Sequence, residues 1–122
     1  HANSASQTYA RIMTMCQMAD TSMSAQILMK LIVEAFPIAV FCKKIDQRHR
    51  CVTEIAEAYN AMDGVAKTRL LFKYEQEGDK GRWVRLAPIS DRTAEILLSN
   101  DADPEMVKYL KTDPNGQKGA KP

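Results

Sequence analysis

The sequence predicts a mainly α-helical domain with one small β-hairpin. Two observations lead there. Apolar residues recur at three- and four-residue spacing in Gln7–Met18, Ser24–Phe36, Cys51–Asn60 and Gly64–Glu77, the signature of helices with one buried face. After Gly78 the spacing switches to alternation in "GRWVRLAPI", which is strand behaviour. With 45% hydrophobic residues in 122 positions, the chain can bury one core, so a single domain is expected.

Residues 1–6 are small and polar and are expected to fray. Gln7 to Met18 allows a helix, with Ala10, Ile12, Met13, Cys16 and Met18 apolar. Thr21, Ser22 or Ser24 is positioned to cap a second helix running to Phe36. That helix is apolar on most of its surface (Ile27, Leu28, Leu31, Ile32, Val33, Phe36). A helix apolar nearly all round is buried in a core or against another chain.

Pro37 ends or kinks this helix. "IAVFCKKI" suits either a short strand or a continued helix. Cys51 to Asn60 reads as a short helix with Val52, Ile55, Ala56 and Tyr59 on one face. Asp63 is a plausible cap for the next helix, Gly64 to Glu77, ended by Gly78. Its buried face would hold Val65, Leu70 or Leu71, and Tyr74. Trp83 belongs to the following strand and is expected in the core. "APISDRT" carries turn residues, and "AEILLS" reads as a second strand. Asp101 or Asp103 caps a last helix with Pro104 at its first position. The Gly/Pro/Lys segment 112–122 is expected to be disordered. The folded domain thus spans 7–111.

Net charge is +2, so any nucleic-acid role must come from where the charges sit. Three cysteines, Cys16, Cys42 and Cys51, do not make a disulfide framework and fit a reducing cytoplasm. No apolar run reaches membrane-spanning length, and the polar "HANSAS" does not read as a secretory leader.

A short helix, a turn, a second helix and a hairpin make the winged helix-turn-helix plan. The second helix would enter the major groove, with Gly64 and Ala66 allowing close backbone approach and Lys67 and Thr68 facing base edges. Arg92, at the hairpin tip, suits the narrow minor groove. Arg69, Lys73, Arg82 and Arg85 are candidates for phosphate contact.

These residues resemble the MarR type of winged-helix transcription regulator. "TEIAEAYN" is similar to its first helix-turn-helix helix, "VAKTRLLFKYEQEG" to its recognition helix, and "RWVRLAPISDRTAEILLS" to its strand–wing–strand. The resemblance covers Thr53 to Ser99, within a DNA-reading part of 51–99. It implies a homodimer, built by the N- and C-terminal helices, that binds double-stranded DNA to regulate transcription. A small-molecule effector or a thiol between the dimer and the DNA-reading parts could act as a switch.

Other readings stand beside this one. Lys67, Thr68 and Arg69 also suit a solvated helix face. "RLLFKYEQEGDKGRWVRLAP" also suits one long hairpin around "EGDKG", which would place Arg92 outside any wing. A winged-helix module that binds protein and no DNA fits the modest charge. A thiol- or metal-responsive sensor is the third class, although Cys42, His49 and Cys51 match no closed zinc site and Cys16 is better read as an inert thiol. No catalytic constellation, cofactor motif or metal set stands out, so no enzyme activity, cofactor or metal is expected.

Overall fold

The computed structural model describes residues 2–19 and 22–115. Helices α1 (Gln7–Met18) and α2 (Ala25–Ala35) come first. Strands β1 (Ile38–Lys44), β2 (Arg50–Met62), β3 (Val65–Glu77) and β4 (Lys80–Arg85) follow, then helices α3 (Asp91–Ser99) and α4 (Pro104–Leu110). The strands form one antiparallel sheet in the order β1-β2-β3-β4. The expected fold, mainly α with a small hairpin in a winged helix-turn-helix, is therefore overturned: this is an α+β domain. The two helices expected over 51–60 and 64–77 are β2 and β3, and the expected second strand "AEILLS" is α3.

Backbone geometry explains the change. Asp63 and Gly64 have φ of 53° and 78°, and the register closes at Met62 opposite Val65. Two left-handed residues in a row make a two-residue hairpin turn whose twist matches the flanking strands, so Asp63 is not a helix cap. Gly78, at φ 59°, starts the turn that pairs Glu77 with Lys80. The β1–β2 turn is held by Asp46, which accepts the Arg48 N–H at 2.7 Å and the His49 N–H at 2.9 Å. These bonds, the one from Arg48 foremost, hold the Asp46 carboxyl below the usual range.

Three register shifts interrupt the sheet. Thr53 is the extra residue of β2 against β1, Leu71 of β3 against β2, and Tyr59 of β2 against β3. Each bulge inserts one residue and reverses which side chains face which way beyond it.

Both faces of the sheet carry helices. On one, α1 and α2 bury Tyr9, Met13, Leu28, Met29, Ile32 and Val33 against Ala39, Ala56 and Ala58. On the other, α3 and α4 bury Ala94 and Val107 against Leu71, with Ile38, Ile55 and Phe72 packed alongside. The four buried apolar side chains of α2 contribute on the order of 6–12 kcal/mol of burial, which is what fixes this helix to the sheet.

Helix ends follow from their caps. The Ser24 side chain accepts the Ile27 N–H, and Asp103 accepts the Glu105 N–H ahead of Pro104. Both were among the expected caps; Thr21 lies outside the described residues. Ala5, in the segment expected to fray, is buried and donates its N–H to the Glu54 carboxylate at 2.9 Å. Of the expected C-terminal tail, 116–122 lie outside the described residues. Among the described residues, no helix is long and apolar enough to cross a membrane.

Candidate protein-interaction surface

The residues assigned to DNA do not form one face. Gly64 sits in the β2–β3 turn, where a Cβ would lie 3.3 Å from the Ala25 Cβ of α2. Ala66, Lys67, Thr68, Arg69 and Lys73 lie on β3, Arg82 and Arg85 on β4, and Arg92 in the first turn of α3. No recognition helix exists for them to share, and "ISDRT" is a helix start, not a wing tip.

The Leu71 bulge also separates the cations. Arg69 lies 3.9 Å from the Glu57 carboxylate, on the α3 side of the sheet. Lys73 is opposite Glu54, whose carboxylate takes the Ala5 N–H on the α1 side. Without the bulge, 69 and 73 would share a face.

The arginines are occupied by the protein itself. Arg69 also donates to the Pro88 carbonyl at 3.4 Å and lies 4.9 Å from the Tyr59 ring centroid. Arg85 donates to the Thr112 carbonyl and hydroxyl at 2.6 and 2.9 Å and covers the Tyr109 ring at 4.6 Å. Arg92 donates to the Val33 carbonyl at 3.2 Å and approaches the Ala58 carbonyl at 3.5 Å. A cation there completes the C-terminal end of α2, where carbonyls lack intrahelical partners. Lys67, Lys73 and Arg82 stay exposed, Arg82 beside Glu75 at 3.9 Å.

Sequence reasoning missed Glu57. Its side chain is fully buried. It accepts from the Ser90 N–H at 3.0 Å, the Ser90 hydroxyl at 3.0 Å and the Thr93 hydroxyl at 2.7 Å. Ser90 caps α3 by accepting the Thr93 N–H. A carboxylate held at a helix N-terminus interacts favourably with the helix dipole, so Glu57 pins α3 to the sheet. The available signal was "SDRT", a cap pattern ahead of an apolar run. Above this node lies Tyr9, whose hydroxyl donates to the Phe36 carbonyl at 2.7 Å. Burial pushes the Tyr9 phenol up to about 12, and the Arg92 guanidinium opposes that rise.

The domain also leaves several large apolar side chains outside its cores. α2 buries Leu28, Met29, Ile32 and Val33 but turns Ile27 and Leu31, one helical turn apart, outward at 55% and 45% exposure. Met23, before the helix, and Met15 and Met18 of α1 are also exposed. The sheet contributes a second apolar area beyond α3 and α4. There Trp83, expected in the core, is 59% exposed. Its ring stands 5.2 Å from that of Tyr74 at 57°, and its indole N–H reaches the Val52 carbonyl at 2.7 Å. The indole thus lies across the sheet as a flat apolar tile.

Hollows on the surface are shallow. One of about 310 Å³ opens between α1 and the start of β3, lined by Tyr9, Met13, Met29 and Val65. Among the described residues, no group of His, Cys, Asp and Glu is arranged to hold a metal ion. The three thiols are free, and Cys42 and Cys51, on neighbouring strands, are one residue out of register and point to opposite faces.

No protein-family model matches this chain, and no curated protein is similar to it.

Proposed function

We propose that this domain is a non-catalytic protein-interaction module. The observation that carries the reading is the second apolar face of α2. Ile27 and Leu31 contribute nothing to the domain's own core, yet they form a stripe at i, i+4 spacing. Contiguous exposed apolar surface of this kind marks sites where another polypeptide docks, and a helix stripe is read through i, i+4 anchors.

The buried chemistry supports binding over catalysis. Both oxygens of Glu57 are committed to Ser90 and Thr93, so this buried carboxylate serves as an anchor for α3 and not as a free base. The segment 64–77 offers no recognition helix for a major groove, because it is a strand from Val65 on.

A photocrosslinking side chain in place of Ile27, in the cells that make the protein, tests the reading. It should give discrete protein adducts that the same probe in place of Lys108, on α4, does not. Leu31→Asp should abolish those adducts while leaving the unfolding temperature unchanged. Absence of Ile27-dependent protein adducts would overturn the proposal.

A further inference from the structure

We propose that the outer edge of β1 is a self-pairing edge, at which two copies of this chain join their sheets about a two-fold axis centred on Val40. This surface is separate from the α2 stripe, and the inference does not rest on it.

The direction of each backbone group in β1 follows from bonds at its two ends. The Pro37 carbonyl accepts the Ala58 N–H at 2.9 Å, and the Ile45 N–H reaches the His49 carbonyl at 3.0 Å. Both point to β2. Backbone groups alternate along an antiparallel strand, and the bulge between these strands lies in β2, not β1. Residues 39, 41 and 43 therefore also bond inward, which agrees with the Phe41 carbonyl accepting the Thr53 hydroxyl. The N–H and C=O groups of Ile38, Val40, Cys42 and Lys44 point away from the sheet. β1 is the edge strand, and no described residue pairs with these groups.

The two edges of the sheet differ in chemistry. β4, "KGRWVR", carries Lys80, Arg82 and Arg85, the charged composition that keeps an edge from pairing. β1 opens with an uncharged run, Ile38 to Cys42, and has its lysines only at the far end. Val40, at the middle of that run, is 55% exposed.

Two-fold antiparallel pairing centred on Val40 suits this layout. It sets Val40 opposite Val40 of the second copy, and Ile38 opposite Cys42 on either side. Each such pair exchanges two bonds, for about six across the seam. Lys44 is four residues from the centre, so the two Lys44 residues stand about 27 Å apart along the seam, well beyond the screening length at physiological salt. The same register directs Lys43, which shares the α2 face of β1 with Ala39 and Phe41, toward the Glu34–Phe36 end of α2 in the second copy. Glu34 is exposed and is the acidic residue of that helix, so the charges there are opposite. Phe36 is exposed beside it, within reach of the Lys43 stem.

Proline substitution separates the seam from the fold. At position 40 the lost N–H points outward, and proline is tolerated on such an edge position. Val40→Pro should therefore fold, by circular dichroism and thermal unfolding, yet sediment as a monomer at concentrations where wild type is a dimer. Val40→Cys provides the second arm, with Cys16, Cys42 and Cys51 replaced by Ser. Hydrogen-bonded antiparallel partners have Cα atoms about 5.5 Å apart, within disulfide range. Oxidised glutathione should convert this variant to a covalent dimer, and should not do so with Val65→Cys in the same background. A wild type that stays monomeric from micromolar to millimolar concentration overturns the proposal. So does a folded Val40→Pro that dimerises like wild type, whatever the outcome at Ile27.

Discussion

The Arg92 guanidinium on α3 donates to the Val33 carbonyl on α2 at 3.2 Å, tying together helices on opposite sides of the sheet. The link passes where β2 runs on beyond the start of β1, since Ile38 pairs with Glu57 and the chain before it turns back to α2. An arginine that looks like a wing tip in sequence is a clamp in three dimensions.

Arg92→Ala should lower stability by about 1–3 kcal/mol, because it leaves a carbonyl at the end of α2 without its partner. Urea unfolding measures the loss. A variant as stable as wild type would show that the clamp contributes little.

Glu57→Ala should cost more than about 3 kcal/mol. It leaves the Ser90 and Thr93 hydroxyls without their buried acceptor and Arg69 without its counter-charge, and breaking a buried ionic network from one side is strongly destabilising. Thr93→Val should cost less, since it removes one of several donors. Denaturant midpoints that rank Thr93→Val as the worse variant would contradict this description of the node.

Gly81→Ala in a strand should by itself be mildly favourable. Here the new Cβ would overlap the Tyr74 phenol, so the ring must move and the variant should be destabilised by about 1 kcal/mol. The near-ultraviolet dichroism of the Tyr74–Trp83 pair should weaken at the same time. In a Tyr74→Ala background the sign should reverse, which a double-mutant cycle reads directly.

Alkaline pH should expose Tyr9. Its folded pKa is raised from 10.0 to about 12 by burial, so the folded state holds the proton more tightly than the unfolded one. The stability this provides is complete below pH 10 and is lost as pH rises toward 12. Unfolding midpoints measured across that window should fall more steeply for wild type than for Tyr9→Phe, which removes the ionising group.

Legibility in the sequence followed periodicity. α1 was expected at Gln7–Met18 and stands there, and α2 and α4 begin at caps the side chains announce. β2 was misread because its bulges break the period of two. The extra residue at Thr53 puts Val52 and Ile55 on one face, and Ala56 is apolar because helices cover the opposite face as well, so Val52, Ile55, Ala56 and Tyr59 imitate a helix face. "DG" at 63–64 is the countersign, the strongest short hairpin signal there is, although Asp63 alone also suits a helix cap. The long hairpin around "EGDKG" was legible as an alternative and is the one observed. Of the candidate surface, α2's surplus of apolar residues was visible in sequence. Glu57, Trp83 and the open edge of β1 depend on strand pairing, which no local window contains.

β2 and β3 are each thirteen residues long, against seven for β1 and six for β4. At about 3.3 Å per residue they reach roughly 43 Å, so their shared end forms an overhanging arm, steadied where Gly64 meets Ala25. Mechanical load applied at the Asp63–Gly64 tip falls first on that foothold and on Ala61 and Ala66, which pack against the first core, and then on the ribbon rung by rung. The domain is thus stiff to shear along its strands and soft to peeling from this end.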